Sequence, residues 1–380
     1  MRVTLEASTG NLIGAEKLLK FGQTCGRVCY SEKDFGELLN EGYNSKLIER
    51  MLGSGHHSVF EHAHLTFYLD SIPKALAMFL NNERPYVTSE KSARYTQMEM
   101  VPQQKEKYDT WMNTLTPLID KAYPQMEDSK KRDEAIKKLA QENARYVTSV
   151  FTPTKMVHTL SLRQLNQLIH LSEDFVGGYN NSRDEFKKRL AGSVEEFLSQ
   201  EAIIKLKIPG LKNRTERKLS FFRNPVKEYY DDVYSHISSM SFAALGQAHR
   251  HRTIDYHISG GTQLGAPLGF YVPKIVREGG KFLEEKWEND LREIARNDFP
   301  QGQLISVSET GTIEDAYSKA NLRLCGHAQH EIMRNTFELL KAYAAHVPEA
   351  EERIKPKCSR GLKCYEPCVW GPKMALERIV

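Results

Sequence analysis

At 380 residues with 40% apolar content, the chain exceeds what one hydrophobic core usually holds and lies far from the disordered range, so two domains are expected. A net charge of +4, on 53 basic and 49 acidic residues, leaves no electrostatic footprint for a nucleic-acid polymer, although a small anionic substrate needs only a local cluster of Arg and His. No run of about 18 apolar residues suggests a membrane span, and the opening MRVTLEASTG lacks an apolar signal core, so a cytoplasmic location is expected.

In chain order, VTLEAS reads as a short strand, and residues 43–53 as a helix ended by Gly53. AHLTFYLD (63–70) has strand composition, after which Ser71 and Pro73 are expected to open a helix through SIPKALAMFLNN. Residues 104–145 read as a polar helical stretch, and TKMVHTLSL (154–162) as a strand passing into the helix RQLNQLIHL. NSRDEFKKRLAGSVEEFL carries apolar residues at helical spacing, interrupted by Gly192. Residues 205–225, basic and with two prolines, are the best linker candidate. Beyond them VKEYYDDVYSHISSMSFAALGQ is expected as a helix running into AHRHRTIDYHISGG. A charged helix at 280–296 and a long helical pattern from about 313 to 345 follow. The halves share an order of events: helix, Arg-rich turn with Tyr and Ser, charged helices, further helix. That order suggests a duplication.

Six cysteines (Cys25, Cys29, Cys325, Cys358, Cys364 and Cys368) are expected as reduced thiols. Three of them lie in the tail CSRGLKCYEPC, which has no CxxC pair and reads as a Cys-rich turn rather than a metal site. HHSVFEHAHLTF crowds His56, His57, Ser58, Glu61, His62 and His64 together, but the His57–Glu61 spacing does not fit the helical zinc motifs. The alternation of His62, His64 and Thr66 reads instead as one strand face, and no metal is expected.

Three further stretches carry groups suited to an anion. SEKSARYT holds Glu90, Ser92, Arg94 and Tyr95: a hydroxyl and a guanidinium fit phosphate oxygens, with a solvated surface turn as the alternative. QAHRHRTIDYH holds Gln247, His249, Arg250, His251, Arg252 and His257. Three consecutive cationic or near-cationic side chains repel one another unless something anionic lies between them. In NLRLCGHAQHEIMR, Arg323, His327 and Glu331 follow at intervals of four, which places them on one helix face, with Gly326 allowing close approach. A surface ion-pair ladder is the alternative there.

Together these stretches resemble the flavin-dependent thymidylate synthases. GHHSVFEHAHLTF is similar to that family's GHxSxxEHxxFTF segment, and the family's RHRxxSxNExSxRY signature is divided between the halves. In the first half Asn82-Glu83-Arg84 replaces RHR while Glu90, Ser92, Arg94 and Tyr95 survive; in the second, Gln247, Arg250, His251 and Arg252 survive while the later part has become HISGGT. The first half also keeps Ala144-Arg145 and Arg163, with Ser161 in place of Asn and Ser172 in place of the later Arg. The second keeps Leu322-Arg323 and His327-Ala328-Gln329, with His330 replacing Trp. The losses are complementary, and the resemblance is dense over about 55–97, 144–170, 247–257 and 321–332.

The resemblance implies an α+β fold in two fused copies, each a small, mainly antiparallel sheet with helices, over residues 1–205 and 206–380. It implies FAD-dependent reductive methylation of dUMP to dTMP, with methylenetetrahydrofolate and NADPH as co-substrates. Arg323 would polarise the uracil; Gln247, Glu90, Ser92, Arg94, Arg145, Arg250 and Arg323 would hold the nucleotide. His56, Ser58, Glu61, Arg250, His251, Arg252, Arg163 and His327 would hold FAD. The family's sites lie between subunits of a homotetramer, so a tandem fusion is expected to form a homodimer acting as a pseudo-tetramer. A related flavin- and folate-dependent modification such as hydroxymethylation, and a silent nucleotide-binding protein, are the alternatives.

Overall fold

A computed structural model describes residues 1–180, 182–211, 218–223, 227–362, 368–370 and 378. The first half runs β1 (Arg2–Ser8), α1 (Ala15–Arg27), α2 (Phe35–Leu39), α3 (Ser45–Gly53), β2 (His64–Pro73), α4 (Lys74–Leu80) and β3 (Val87–Glu90). It continues as α5 (Pro102–Ala122), α6 (Ser129–Ala144), β4 (Pro153–Ser161), α7 (Leu162–Tyr179), α8 (Glu185–Leu198) and α9 (Glu201–Ile204). The second half contains β5 (Tyr229–Tyr230), β6 (Val233–Ser241), α10 (Phe242–Ala248), β7 (Asp255–Gly260), α11 (Lys274–Glu278), α12 (Lys281–Ala295), β8 (Leu304–Thr312), α13 (Ile313–Arg323) and α14 (His330–Ala344).

The same plan occurs twice. One sheet has the order β1-β2-β4-β3, the other β5-β6-β8-β7, and every pairing is antiparallel. The second strand of each sheet leads directly into a short helix (α4, α10), then a turn, then the short edge strand. The partner strand leads into a capped helix: Ser161 Oγ accepts from Gln164 N at the start of α7, and Thr312 with Asp315 forms a capping box on α13. The Asn82-Glu83-Arg84 turn and the Arg250-His251-Arg252 turn occupy the same step of this plan.

By contacts, the chain divides into two compact units, Met1–Lys91 with Pro153–Leu219 and Ser92–Thr152 with Ser220–Val380. These units do not follow the division expected at 205/206. The reason lies in α5, which buries Tyr108, Trp111, Leu115 and Ile119 in a core shared with Trp287 and Leu291 of α12. Trp111 meets Trp287 edge-on, with ring centroids 4.6 Å apart, and its Nε1 donates to Asp290 at 3.0 Å. In the first unit, β2 buries Leu65, Phe67 and Leu69 on one face, and Phe79 of α4 packs on Phe175 of α7.

Several elements differ from the sequence expectation. Ser71 does not begin a helix: a register shift between Leu69 and Ile72, with Ser71 at φ 56°, carries β2 on to Pro73. The expected helix over 226–247 is strand at Tyr229–Tyr230 and Val233–Ser241, because Val233 to Ser241 pair residue by residue with Thr312 to Leu304; the helix starts only where Ser241 caps Phe242–Ala248. The stretch 104–145 is two helices, separated at Tyr123 and Pro124. The long pattern after 313 is also two helices, because α13 ends at Arg323. The linker candidate is packed where it is described: Leu206, Leu211 and Phe221 are buried, while residues 212–217 and 224–226 lie outside the described residues, as does Cys364. No helix among the described residues is long and apolar enough to cross a membrane.

Candidate functional site

The second unit gathers Ser92, Arg94, Glu142 and Arg145 with Gln247, His251, Arg323, His327, Gln329 and Glu331. The first four come from the segment that carries α5 and α6. The others come from the end of α10 and the turn after it, and from the end of α13 through the first turn of α14.

Gln329 is the hub. Its side-chain oxygen accepts from Arg145 Nη2 and from Gln247 Nε2, and its amide donates to the Tyr146 hydroxyl. Tyr146 donates in turn to Glu331 at 2.7 Å, and Glu331 also accepts from the Ser241 backbone N–H and hydroxyl, each at 2.7 Å. Arg145, Gln247, Gln329 and Glu331 are all buried. Two polar atoms in this group have no partner among the described residues: Arg145 Nε and Gln247 Oε1. An unpaired buried donor or acceptor costs about 1–3 kcal/mol, so such atoms mark a place where a polar ligand would be favoured.

The cations crowd. Arg94 donates through Nε to Glu142 and through Nη2 to the His327 carbonyl at 2.8 Å. Burial opposes the Arg94 charge, but Glu142 outweighs it and the guanidinium is held above its usual range. Among the described residues, Arg323 bonds neutral acceptors, His251 Nε2 at 2.8 Å and the Gln247 carbonyl at 3.2 Å. Burial, followed by Arg94 and Arg250, lowers it from 12.5 to about 10. Burial lowers the Arg145 guanidinium as well. An anion near Arg323 would relieve the repulsion that Arg94 and Arg250 exert on it.

The Arg250-His251-Arg252 turn is not a run of three cations. Arg250 and Arg252 are exposed, whereas His251 is buried, and burial with Arg323 and Lys319 nearby lowers its imidazole from 6.5 to about 2. Arg323, His327 and Glu331 do not share a helix face. Arg323 ends α13, His327 lies exposed in the connection, and Glu331 is buried in the first turn of α14. Gly326 gives close approach to a side chain, Trp370: a Cβ at Gly326 would lie 2.8 Å from the indole.

The remaining expected site residues belong to the first unit. His56, Ser58 and Glu61 are exposed in or beside the single turn His57–Glu61, and Arg163 in the first turn of α7 donates to Glu61 at 2.7 Å. Glu90, at the end of β3, pairs with Lys74 Nζ at 2.6 Å. Ser172 is fully buried. Among the described residues no three His, Cys, Asp or Glu side chains gather as metal ligands would. Sequence reasoning missed Glu142, Tyr146, Ser241 and Gln329 as parts of the network. The one available signal was the intact His327-Ala328-Gln329 match.

Residues 15–174 match the family model described as thymidylate synthase complementing protein, Thy1. The flavin-dependent thymidylate synthase of Pseudothermotoga lettingae is 32% identical over 147 residues, covering 36% of this chain and 65% of that protein. That of Clostridium tetani is 27% identical over 161 residues, covering 37% and 64%. The chain spans between 57% and 65% of the length of the curated relatives it matches. Among solved structures, ThyX of Helicobacter pylori with FAD and dUMP is 18% identical, with TM-score 0.31, over 56% of this chain and 100% of that one. The UMP/dUMP methylase PolB of Streptomyces cacaoi with 5-Br dUMP is 18% identical, with TM-score 0.30, over 54% and 93%. Both structural likenesses are weak.

Proposed function

We propose that this chain, whose residues 15–174 match the Thy1 family model, is a flavin-dependent thymidylate synthase that methylates dUMP to dTMP with FAD, methylenetetrahydrofolate and NADPH. The observation that carries the reading is the crowding of Arg94, Arg145 and Arg323 around buried, partnerless atoms of Arg145 and Gln247. That chemistry suits a nucleotide: guanidinium groups for the phosphate, and an amide with a cation for the pyrimidine edge.

In this reading Ser92, Arg94 and Arg145 hold the nucleotide, with Glu142 fixing Arg94 and Gln329 fixing Arg145. Gln247 offers its free oxygen to a ring N–H. Arg323, lowered to about 10, remains a cation at neutral pH and stabilises negative charge developing on the pyrimidine carbonyl. Arg250 and Arg252, exposed on either side of neutral His251, suit the pyrophosphate of a dinucleotide cofactor. His56, Ser58, Glu61, Arg163 and His327 are proposed as further cofactor contacts, and Glu90 as a nucleotide contact. FAD held by these residues would supply the hydride delivered to the pyrimidine, with NADPH as the source of the electrons and methylenetetrahydrofolate as the source of the one-carbon unit.

The test is direct. Purified protein is expected to carry a flavin spectrum and, with dUMP, methylenetetrahydrofolate and NADPH, to give a product heavier by one methylene in the mass spectrum. Protein that binds no flavin and leaves dUMP unchanged would overturn the reading.

A further inference from the structure

The second unit holds another charged recess that the network above does not use. A pocket of about 360 Å³ is lined by Tyr271, Lys274, Arg277, Glu278, His330 and Arg334, among others. Its construction follows from the two helices that meet there. Pro273 precedes α11, which puts Lys274 and Arg277 three apart on one face, and α14 puts His330 and Arg334 four apart on one face.

Three cations line the pocket against one carboxylate, Glu278. Arg277 also reaches Glu284 at 3.5 Å, but both side chains are well exposed, and such pairs hold little charge in place. The floor is rigid: Tyr271 packs on Tyr146 with centroids 5.0 Å apart, and its carbonyl accepts from Trp287 Nε1 at 2.9 Å. Burial and Glu331 raise the Tyr271 hydroxyl, while Arg334 and Arg277 act in the opposite sense, so both cations bear on that one hydroxyl. The volume sits at the small end of ligand pockets, about 300–1,000 Å³, and suits the end of a molecule rather than the whole of one.

We propose that this pocket is a second anion site, which takes the doubly charged end of a co-substrate: a phosphate monoester or a pair of carboxylates. The Arg277 and Arg334 side chains offer two sets of forked donors, which both kinds of dianion accept. Only the identity of the carrier rests on the function proposed above. A nicotinamide dinucleotide with a 2′-phosphate and a folate with a glutamate tail each supply such an end.

The experiment uses the full chain and the double variant Arg277→Gln/Arg334→Gln; both side chains are exposed, so an unchanged melting temperature is expected. Calorimetric titration with inorganic phosphate should show one phosphate per chain lost, or weakened at least about 10-fold, in the variant. With substrates, KM for NADPH rising by that factor while KM for NADH stays fixed assigns the phosphate carrier. The same rise for a glutamate-bearing folate, but not for its pteroate analogue, assigns the carboxylate carrier. If the wild type turns over no dUMP yet loses the phosphate on substitution, the pocket stands and the proposed reaction falls. Phosphate binding identical in stoichiometry and affinity between the two proteins overturns the pocket.

Discussion

Arg323 donates its Nε–H to Nε2 of His251 across 2.8 Å. A ring nitrogen that accepts from a guanidinium cannot carry a proton, so the imidazole is neutral with its hydrogen on Nδ1. The middle residue of the Arg250-His251-Arg252 turn is thus an acceptor that orients a cation, and only its two neighbours offer charge to a ligand.

This arrangement sets a pH dependence. The folded-state value of His251, about 2, lies below its ordinary 6.5, so the unfolded chain binds the extra proton first. Stability from this site is fully present above about pH 6.5 and falls as pH drops below it, by up to about 1.4 kcal/mol per pH unit. Between pH 7 and pH 5 the melting temperature of the wild type should fall more than that of His251→Gln. Parallel curves would show that the imidazole does not titrate in the unfolded chain alone.

The division of labour within the nucleotide site separates three arginines. Arg94→Ala and Arg323→Ala should each weaken dUMP binding by about 10- to 150-fold, the range for one charged hydrogen bond. Arg323→Ala should also reduce kcat. Arg84→Ala, in the turn that lost the family's RHR, should leave both close to wild type. Calorimetry and steady-state kinetics on the three proteins check this; equal effects would count against this division of labour.

Replacing Arg250 and Arg252 together with Ala should yield protein purified without flavin and with a little-changed melting temperature, because both side chains are exposed. The absorbance ratio of flavin to protein reports the outcome. Full retention of FAD would remove these residues from the cofactor contacts.

Glu331 accepts three hydrogen bonds in a fully buried setting. Glu331→Ala strands the Tyr146 hydroxyl and the Ser241 N–H and should cost about 3 kcal/mol or more in a denaturant titration. Glu331→Gln keeps an acceptor and should cost less. A loss of activity in the Gln variant at unchanged stability would mean that the network sets the geometry of Arg145 and Gln247 as well as holding the core.

Mass photometry should find a homodimer, with two flavins and two nucleotides bound rather than four, since the first half has lost RHR and has Ser172 where the later Arg would stand. A monomer with full activity, or four nucleotides per dimer, would contradict this.

The doubled plan was legible because each copy keeps its turn chemistry and caps: Ser161 and Thr312 start helices where hydroxyls are expected to start them. The strand β6 was not legible. Tyr234, Ile237 and Ser241 mimic a helical period, although Val233, Tyr234 and Ile237 favour a strand, and only the pairing with β8 decides between the two. The break after Arg323 was hidden for a similar reason. The spacing of Arg323, His327 and Glu331 is helical, and nothing local shows that Gly326 must instead admit Trp370. Of the site, the arginines could be read from the sequence, whereas Glu142 could not. The neutral hub could not, because Gln329 and Tyr146 acquire meaning only when residues 184 and 183 positions away close upon them.

The placement of α5 and α6 has a consequence during synthesis. Residues 92–152 leave the ribosome well before α12, their packing partner, exists. Until the chain reaches Trp287, the apolar face of Trp111, Leu115 and Ile119 has only α6 and the residues after it as cover, and completing the core means drawing together residues 176 positions apart in sequence. The nascent first half is therefore a sticky intermediate that waits on its own C-terminal half, and a chain stalled or truncated before α12 is a substrate for chaperones rather than a smaller working protein.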